Sequence, residues 1–278
     1  YPIDDLDEIL PGLLEGRSRV YYHFGRDADF DLKLIGWLNQ VRAQVRLGAQ
    51  PPHEFLELGH LLDELRLFKS KDEIRLMQRA ADTAIALAKD TGVAWVGARR
   101  SNHAGAAGTY AAMALPHNMV GIYSAVANAN HMPAWGAAES LLSTNPIAVA
   151  VPAGEEAPVV LDIATTVVSY GTVKAYKLQG KPMPEGWMVS AKDGKPITDS
   201  AKSAEGLLMP IGGHKGSGLA LVLGLLAGVL NGGAFGREVV DFNADDESEC
   251  NTGHFIIALD ISRFIPLDVF KAQMDRQL

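Results

Sequence analysis

The sequence contains a single cysteine, Cys250, among 278 residues. One cysteine cannot form an internal disulfide, which fits a reducing compartment, and we expect a cytoplasmic protein. Basic runs are also missing and the net charge is −8, which argues against binding to nucleic acid or to an anionic membrane surface. The chain begins YPIDDLDEIL, with neither a methionine nor a basic segment. No signal peptide is expected there, and this start suggests a fragment.

Long apolar runs are missing too, since none reaches the length of about 20 residues that spans a bilayer. The longest follows Gly218 and is apolar on every face, which predicts a buried central helix within residues 210–230. At its start, Gly212, Gly213 and Lys215 combine free N–H groups with a positive charge, which predicts a site for an anion such as a nucleotide phosphate. The alternative is a simple tight turn. The residue order of a Walker loop is absent.

Composition and local patterns predict a two-domain globular protein that starts with a small α/β region. The chain is 47% apolar and 21% charged, which is typical of soluble proteins, and its length suits two domains. Helices are predicted over residues 3–14, 31–47 and 54–65, and a strand over 19–24. The strings YPIDDLDEILPGLLEGRSRVYYHFG and GAQPPHEFLELGHLLDELRLFKSKDEIRLMQRAA closely resemble the second half of the N-terminal domain of bacterial aminopeptidase P, a creatinase-like family. The resemblance implies a partial α/β domain over residues 1–83.

Metal ligands are missing where that resemblance would require them. Aminopeptidase P works through a two-metal centre whose Asp, Asp, His, Glu and Glu ligands lie downstream of the matching segment. After Ala81 no stretch resembles those ligand motifs. His23, His53 and His60 precede them, so we expect surface or capping roles for these three histidines. We therefore predict no metal site and no metallopeptidase activity.

One continuous helix is predicted over residues 71–90, followed by a buried strand over residues 93–98. No glycine or proline lies between Lys71 and Asp90, and Gly92 supplies a C-terminal stop. The apolar face stays in helical phase throughout, at Ile74, Met77, Ala81, Ala84, Ile85 and Ala88. The resemblance to aminopeptidase P ends at about residues 81–87, so the two halves of this apolar face evolved against different partners. We therefore expect Ile74 and Met77 to face a poorly filled or exposed surface.

Five motifs occupy the rest of the chain: GVAWVGARRSNHAGAAGTYAAMAL, STNPIAVAVP, VVLDIATTVVSYGTVKAYKLQGKPMPEGW, PIGGHKGSGLAL and NTGHFIIALD. In content and order they resemble the malate/L-lactate dehydrogenase family, which includes sulfolactate, ureidoglycolate and Δ1-piperideine-2-carboxylate enzymes. The resemblance implies a truncated, non-Rossmann α/β core over residues 84–278 with a mixed or antiparallel sheet. It further implies NAD or NADP as the cofactor, and we expect a homodimer.

Most candidate site residues lie at turns between predicted elements. Basic and hydroxyl groups at residues 99–103, before a glycine-rich helix start, suit a diphosphate or ribose, and the alternative is a structural turn. Asp162 lies in an apolar strand, where a carboxylate is costly unless it is paired. From the resemblance, the expected cofactor contacts are Arg99, Ser101, Asn102, His103, Gly105, Asp162, Ala164, Thr165, Gly213, His214 and Lys215. The expected substrate contacts are Thr144, Tyr170 and Gly171.

Other segments near these motifs remain open to two interpretations. The turn that contains Thr144 is a substrate contact or a simple turn, and His131 and Trp135 either line a pocket or only pack. The acidic cluster at residues 241–249 is expected to be a solvated loop.

The proton donor of the resembled family is missing from the sequence. It is a histidine in a Ser-His-Gly motif, followed by an arginine that anchors the substrate carboxylate, and no Ser-His-Gly occurs here. Thr172 stands where some relatives carry an acidic residue and others a lysine, with Lys174 two positions further on. The catalytic residues are therefore unknown, and the residues that would distinguish NAD from NADP are not identifiable.

The leading interpretation is an NAD(P)-dependent oxidoreductase of small 2-hydroxy or 2-oxo acids, or of cyclic imino acids, which acts by hydride transfer. Because the family's proton-donor helix is absent from this sequence, the same interpretation includes an oxidoreductase that has lost its activity. One alternative is a catalytically silent binding or oligomerisation module of aminopeptidase P origin. The other is a chimeric fragment without function as a unit.

Overall fold

The computed structural model describes residues 5–22, 24–25, 27–57, 71–245 and 247–278, and of residues 57 and 71–77 only the backbone. His23 and His60 therefore lie outside the described residues. The chain divides into two compact units, Tyr1–Lys71 and Asp72–Leu278. The boundary predicted between residues 83 and 84 concerns sequence resemblance rather than compactness, and it stays a prediction.

The first unit is a small α/β layer. It comprises α1 (Leu6–Leu14), β1 (Arg19–Tyr22), α2 (Ala28–Ala43), a 3₁₀ turn (Val45–Leu47) and β2 (Glu54–Glu57). The two strands pair in parallel, and the Arg19 guanidinium donates to the Glu54 carboxylate across them. Apolar residues at helical spacing on α2 form the core around Trp37, whose indole N–H donates to Asp7 Oδ1 at 2.9 Å.

The helix predicted over residues 54–65 is wrong where the structure describes it. Glu54–Glu57 forms β2, because its backbone pairs with β1 and the Phe55 side chain packs against the core of the first unit. This tertiary pairing overrides a helical spacing pattern that is short and follows two prolines. Residues 58–65 of the predicted helix lie outside the described residues. His53 is exposed, which agrees with a surface role.

The second unit begins with α3 and then alternates strands with short helices. Its helices are α3 (Lys71–Thr91), α4 (Ala107–Ala112), α5 (Tyr170–Leu178), α6 (His214–Ala227) and α7 (Leu267–Gln277). Its strands are β3 (Val93–Ser101), β4 (Met119–Ala125), β5 (Met132–Pro133), β6 (Ser140–Leu142), β7 (Ile147–Val151), β8 (Val159–Ile163), β9 (Met188–Ser190), β10 (Gly206–Leu208) and β11 (Thr252–Asp260).

A five-stranded antiparallel sheet in the order β3-β11-β4-β7-β8 lies at the centre of the second unit. Small side chains on α3 and α4 pack on one face of it, in a cluster that includes Tyr123 and Ile256. On the other face, Leu223 and Ala227 of α6 cluster with Phe255. The predicted α/β class with a mixed or antiparallel sheet is confirmed.

The continuous helix predicted across the change in sequence character is confirmed, since α3 runs unbroken from Lys71 to Thr91. Ala81, Ala84, Ile85 and Ala88 are buried on its sheet-facing side. The predicted packing of Ile74 and Met77 lies outside the described side chains.

Two predictions of complete burial are wrong. In β3, Val93 and Trp95 are 47% and 41% exposed, because β3 is an edge strand that pairs, within the described residues, with β11 alone. In α6, one face is buried through small residues such as Ala220 and Gly224, while the opposite face, including Val222 and Leu225, is exposed. An apolar pattern around a whole helix therefore does not show which of its faces is covered within this chain.

The same segment also affects the expectation about membranes. By length and composition alone, His214–Asn231 is long and apolar enough to cross a bilayer, and 39% of that window is buried. Its length therefore does not exclude a membrane span, contrary to our expectation. Core helices of soluble proteins pass the same test, and the buried face of α6 packs on the central sheet.

Candidate functional site

The antiparallel order of the sheet brings most of the predicted site residues to one end of it. β3, β4 and β8 finish at this end, and β7 and β11 begin there. The register places Ser101 beside Thr252 at one edge of the sheet and Ile147 beside Ile163 at the other. Cofactor residues predicted from separate motifs therefore lie at or just after strand ends of the same sheet.

The last residues of β3 and the loop after it have a strained backbone and exposed side chains. Arg100 adopts a left-handed φ of 53°, which is uncommon for a residue other than glycine. The pairing of β11 with β3 shifts register at the same point, between Thr252 and Gly253. Arg99, Asn102 and His103 are exposed. The loop therefore presents basic and polar groups to solvent, as a site for an anionic ligand requires.

A histidine that sequence reasoning missed lies beneath this loop. His254 of β11 is 8% exposed, and its Nδ1 lies 3.3 Å from Ser101 Oγ and 3.4 Å from Tyr123 Oη. Burial lowers the pKa of His254 to about 4, so the ring is neutral at neutral pH. The signal in the sequence that could have identified His254 is a histidine within a largely apolar strand.

Asp162 performs a structural task at the other edge of the sheet. Its Oδ2 accepts the backbone N–H of Gly108 at 2.7 Å and so fixes the first turn of α4. The carboxylate is exposed as well as hydrogen-bonded, because β8 is an edge strand. The cost of placing a carboxylate in this strand is thereby removed. Asp162 also connects the end of β8 to the helix that follows the 99–105 loop.

Hydrogen bonds bring three of the predicted motifs together. The Thr165 N–H and Oγ1 both donate to the Thr144 carbonyl, at 2.9 and 3.1 Å. The Ile211 N–H donates to the Thr165 carbonyl at 3.0 Å. Thr144, Ala164–Thr165 and the glycine turn before α6 therefore form one locality, which no single motif could predict.

The start of α6 has the features expected of an anion site. Gly212 and Gly213 have φ values of 57° and 65°, in the left-handed region that favours glycine, and no side chain among the described residues caps the helix. His214 and Lys215 follow at the first turn and are exposed. The N–H groups of this turn and the Lys215 ammonium suit a phosphate chemically.

Trp135 lies beside this helix start. Its backbone N–H donates to Ser217 Oγ at 2.9 Å, and its ring stands edge-on to His214 at 6.1 Å. The side chain is 60% exposed. Plain core packing is therefore the wrong interpretation for Trp135, which lies at the rim of the α6 start.

Tyr170 at the start of α5 is flanked by His131 and Lys174. The His131 ring stacks on the Tyr170 ring at 3.9 Å with an interplanar angle of 7°, and Lys174 Nζ lies 5.6 Å from the Tyr170 centroid. Burial lowers the pKa of His131 to about 4. Thr172 takes part in the N-cap of α5, where its backbone N–H donates to Ser169 Oγ at 3.1 Å. Gly171 next to Tyr170 is exposed.

One loop connects the region of His103 with that of Tyr170. Phe242 stacks near His103 at 6.2 Å, and its N–H donates to the Asn128 carbonyl at 3.1 Å. The next residue, Asn243, accepts from Lys174 Nζ at 2.8 Å. Phe242 is half-buried, and the described residues of the acidic cluster at 241–249 form an irregular loop that is exposed or half-buried, as expected of a solvated loop.

Within the part of the chain that the structure describes, no group of three or more His, Cys, Asp or Glu side chains could hold a metal ion. The chemistry of the site is instead that of exposed cations, backbone N–H groups and aromatic rings. Such a set fits an anionic nucleotide with flat rings better than it fits a metal.

Comparison with known proteins agrees with this fold. A family model described as malate/L-lactate dehydrogenase matches residues 74–278. The malate dehydrogenase of Pyrococcus horikoshii is 39% identical over 210 residues, which cover 72% of this chain and 56% of the relative. The (2R)-3-sulfolactate dehydrogenase (NADP(+)) of Chromohalobacter salexigens is 34% identical over 187 residues, covering 67% of this chain and 55% of the relative.

Solved structures give the same result. The sulfolactate dehydrogenase from Methanocaldococcus jannaschii aligns with a TM-score of 0.64 at 35% identity, over 72% of this chain and 57% of that one. The chain thus spans little more than half the length of these relatives. Over residues 74–278, the chain belongs to the malate/L-lactate dehydrogenase family.

Proposed function

We propose that the chain forms the cofactor-binding core of an NAD(P)-dependent oxidoreductase that acts on small 2-hydroxy or 2-oxo acids. The hydrogen-bonded locality of Thr144, Thr165 and Ile211 carries the proposal, because it joins expected substrate and cofactor contacts. The relatives named as malate and sulfolactate dehydrogenases support acids of this type. Cyclic imino acids stay as alternative substrates from the sequence resemblance.

Three segments would hold the cofactor. We expect contacts from the end of β3 and the loop after it (Arg99, Ser101, Asn102, His103 and Gly105), from the end of β8 and the residues after it (Asp162, Ala164 and Thr165), and from the start of α6 (Gly213, His214 and Lys215). When bound, the nicotinamide supplies or accepts the hydride. The backbone N–H groups at the start of α6 and the Lys215 ammonium would neutralise phosphate charge, and Thr144, Tyr170 and Gly171 would orient the acid.

Proton transfer is the step of the reaction for which the described residues provide the weakest candidates. His131 and His254 lie near the expected site, but burial lowers the pKa of each to about 4. Both are therefore neutral at pH 7, and neither is a good source of an imidazolium proton. We expect cofactor and acid binding to survive in this chain better than turnover, and the catalytic residues stay unassigned.

Turnover with a panel of acids tests the reaction. The full chain is incubated with NADH or NADPH and with oxaloacetate, pyruvate or Δ1-piperideine-2-carboxylate, and nicotinamide absorbance is followed. Slow oxidation that is specific for one acid class supports the proposal. Binding without turnover would favour the form that has lost its activity, and neither binding nor turnover would favour a chimeric fragment.

A homodimer is proposed from the exposed apolar face of α6 and of the 3₁₀ turn that follows it, Val229–Asn231. Leu221, Val222, Leu225, Val229 and Leu230 are 42–63% exposed, and an apolar patch of this kind is typical of an interface. Light scattering should give twice the chain mass for the wild type and the single-chain mass for Val222→Glu. A monomeric wild type would contradict a self-association role for this face.

The likeness of residues 1–83 to aminopeptidase P is also kept as a proposal. Its support is the sequence resemblance, together with a first unit that has its own small core. A binding or oligomerisation role for this unit would follow if the dimer persisted in Val222→Glu.

A further inference from the structure

Tyr170 forms a cluster with two side chains of different character. His131 lies flat against its ring at 3.9 Å, and the Lys174 ammonium lies 5.6 Å from the ring centroid. Tyr170 and Lys174 are four residues apart on α5, so they share one face of that helix. A lysine ammonium is therefore held beside a ring that we expect to line the substrate site.

Among the described residues, no carboxylate forms an ion pair with the Lys174 ammonium. Lys174 Nζ donates to Asn243 Oδ1 at 2.8 Å, and the Asn243 amide in turn donates to Asp241 Oδ1 at 3.0 Å. A neutral amide thus separates the ammonium from the carboxylate. Across the described ranges, Lys174 forms no ion pair within 4 Å, whereas other exposed cations do. The paired cations are Arg19, Lys195, Arg237 and Arg263.

His131 adds a hydrogen-bonding group rather than a second charge. Its pKa is lowered to about 4, mainly because the ring is buried, so it is neutral at neutral pH. Among the described residues, neither ring nitrogen has a hydrogen-bond partner. Lys174 is consequently the cation of this cluster, and the His131 nitrogens are available to a polar ligand atom.

We propose that Lys174, beside Tyr170 and His131, binds the second acidic group of a dianionic 2-hydroxy or 2-oxo acid. The inference rests on the proposed function, because that function places Tyr170 in the substrate site. Malate and sulfolactate, which appear in the names of relatives, both carry a second acidic group, whereas lactate does not. Lys174 would therefore set a preference for dianionic over monoanionic acids.

Direct binding to the full chain tests the proposal without depending on turnover. L-malate and L-lactate are titrated calorimetrically into the wild type and into Lys174→Gln, Lys174→Arg and Lys177→Gln. Lys177 is the matched control, because it is an exposed lysine on the same helix. Circular dichroism checks that each variant is folded. NADH binding is measured separately by fluorescence, so that failure of the cofactor proposal is recognised independently.

We expect the wild type to bind malate about tenfold more tightly than lactate, the size of one charge-assisted contact. Lys174→Gln should reduce this ratio to about one, while Lys174→Arg and Lys177→Gln retain it. High salt should also reduce the ratio, because Lys174 is exposed. A ratio that survives in Lys174→Gln, or a wild type that binds neither acid, would overturn the role of Lys174. If the wild type does not bind NADH, the proposed function is overturned, whatever the acid titrations show.

Discussion

Thr83→Pro is expected to destabilise the second unit by about 3 kcal/mol or more. Thr83 lies well inside α3, and its hydroxyl donates to the Arg79 carbonyl at 2.6 Å. Proline removes the backbone N–H that bonds to the carbonyl four residues earlier, and its ring clashes with that same carbonyl. The neighbouring Ala81 and Ala84 are 1% and 0% exposed, so a kink at Thr83 would also disturb their packing on the sheet.

Urea unfolding followed by far-UV circular dichroism measures this loss. Thr83→Ala is the matched control: it removes the hydroxyl but keeps the backbone N–H, and alanine favours a helix, so its stability should change by less than about 0.5 kcal/mol. A loss of 3 kcal/mol would be a large fraction of the 5–15 kcal/mol that is typical of a folded protein. If Thr83→Pro unfolds at the same urea concentration as the wild type, α3 is not one continuous helix in solution.

Two further experiments test the packing around Asn145 and the expectation that the chain binds no metal. Asn145→Ala should lower the free energy of unfolding by about 2–3 kcal/mol, because Asn145 is fully buried, donates to the Ala220 carbonyl at 2.9 Å and accepts the Ala127 N–H at 3.2 Å. Thermal unfolding measures the loss, with the exposed-site variant Asn39→Ala as the control. Equal melting temperatures of the two variants would refute the prediction. Added Mn²⁺ or Zn²⁺ should neither raise the melting temperature nor produce cleavage of an Xaa-Pro peptide, and a metal-dependent rise of several degrees would reveal a site that we do not expect.

Elements whose signal is local were predicted correctly from the sequence. The phase of alanines and isoleucine along α3 and the absence of glycine or proline gave one helix across residues 71–90, as observed. The strand predicted over residues 19–24 is likewise observed, as β1 over Arg19–Tyr22. In these segments, the local preference and the tertiary contacts favour the same structure.

The wrong predictions concern segments decided by tertiary partners. Glu54–Glu57 becomes a strand because β1 is available to pair with it, and a spacing pattern contains no information about such a partner. The outer face of α6 is as apolar as its inner face, so burial within the chain could not be assigned to one side. Val93 and Trp95 are exposed because β3 lies at a sheet edge.

The candidate site was predictable as a set of motifs but not as an arrangement. The bond between Asp162 and the Gly108 N–H joins residues 54 positions apart, and the contact between His254 and Ser101 joins residues 153 apart. Strand order determines both, and strand order is not encoded in any single motif. The expected cofactor and substrate contacts therefore stay predictions until the binding of a ligand is measured.

Titration of nicotinamide fluorescence tests the central claim, cofactor binding at the start of α6, most directly. NADH and NADPH are titrated against the wild type, Lys215→Ala and the control Lys202→Ala, which removes an exposed lysine from the 3₁₀ helix Ser200–Glu205. The wild type and the control should bind at least one of the two nucleotides equally well. Lys215→Ala should bind more weakly by about 1–3 kcal/mol, because it loses a charge-assisted contact to phosphate. Equal affinity of Lys215→Ala and the wild type would remove Lys215 from the site, and no binding by the wild type would contradict the claim itself.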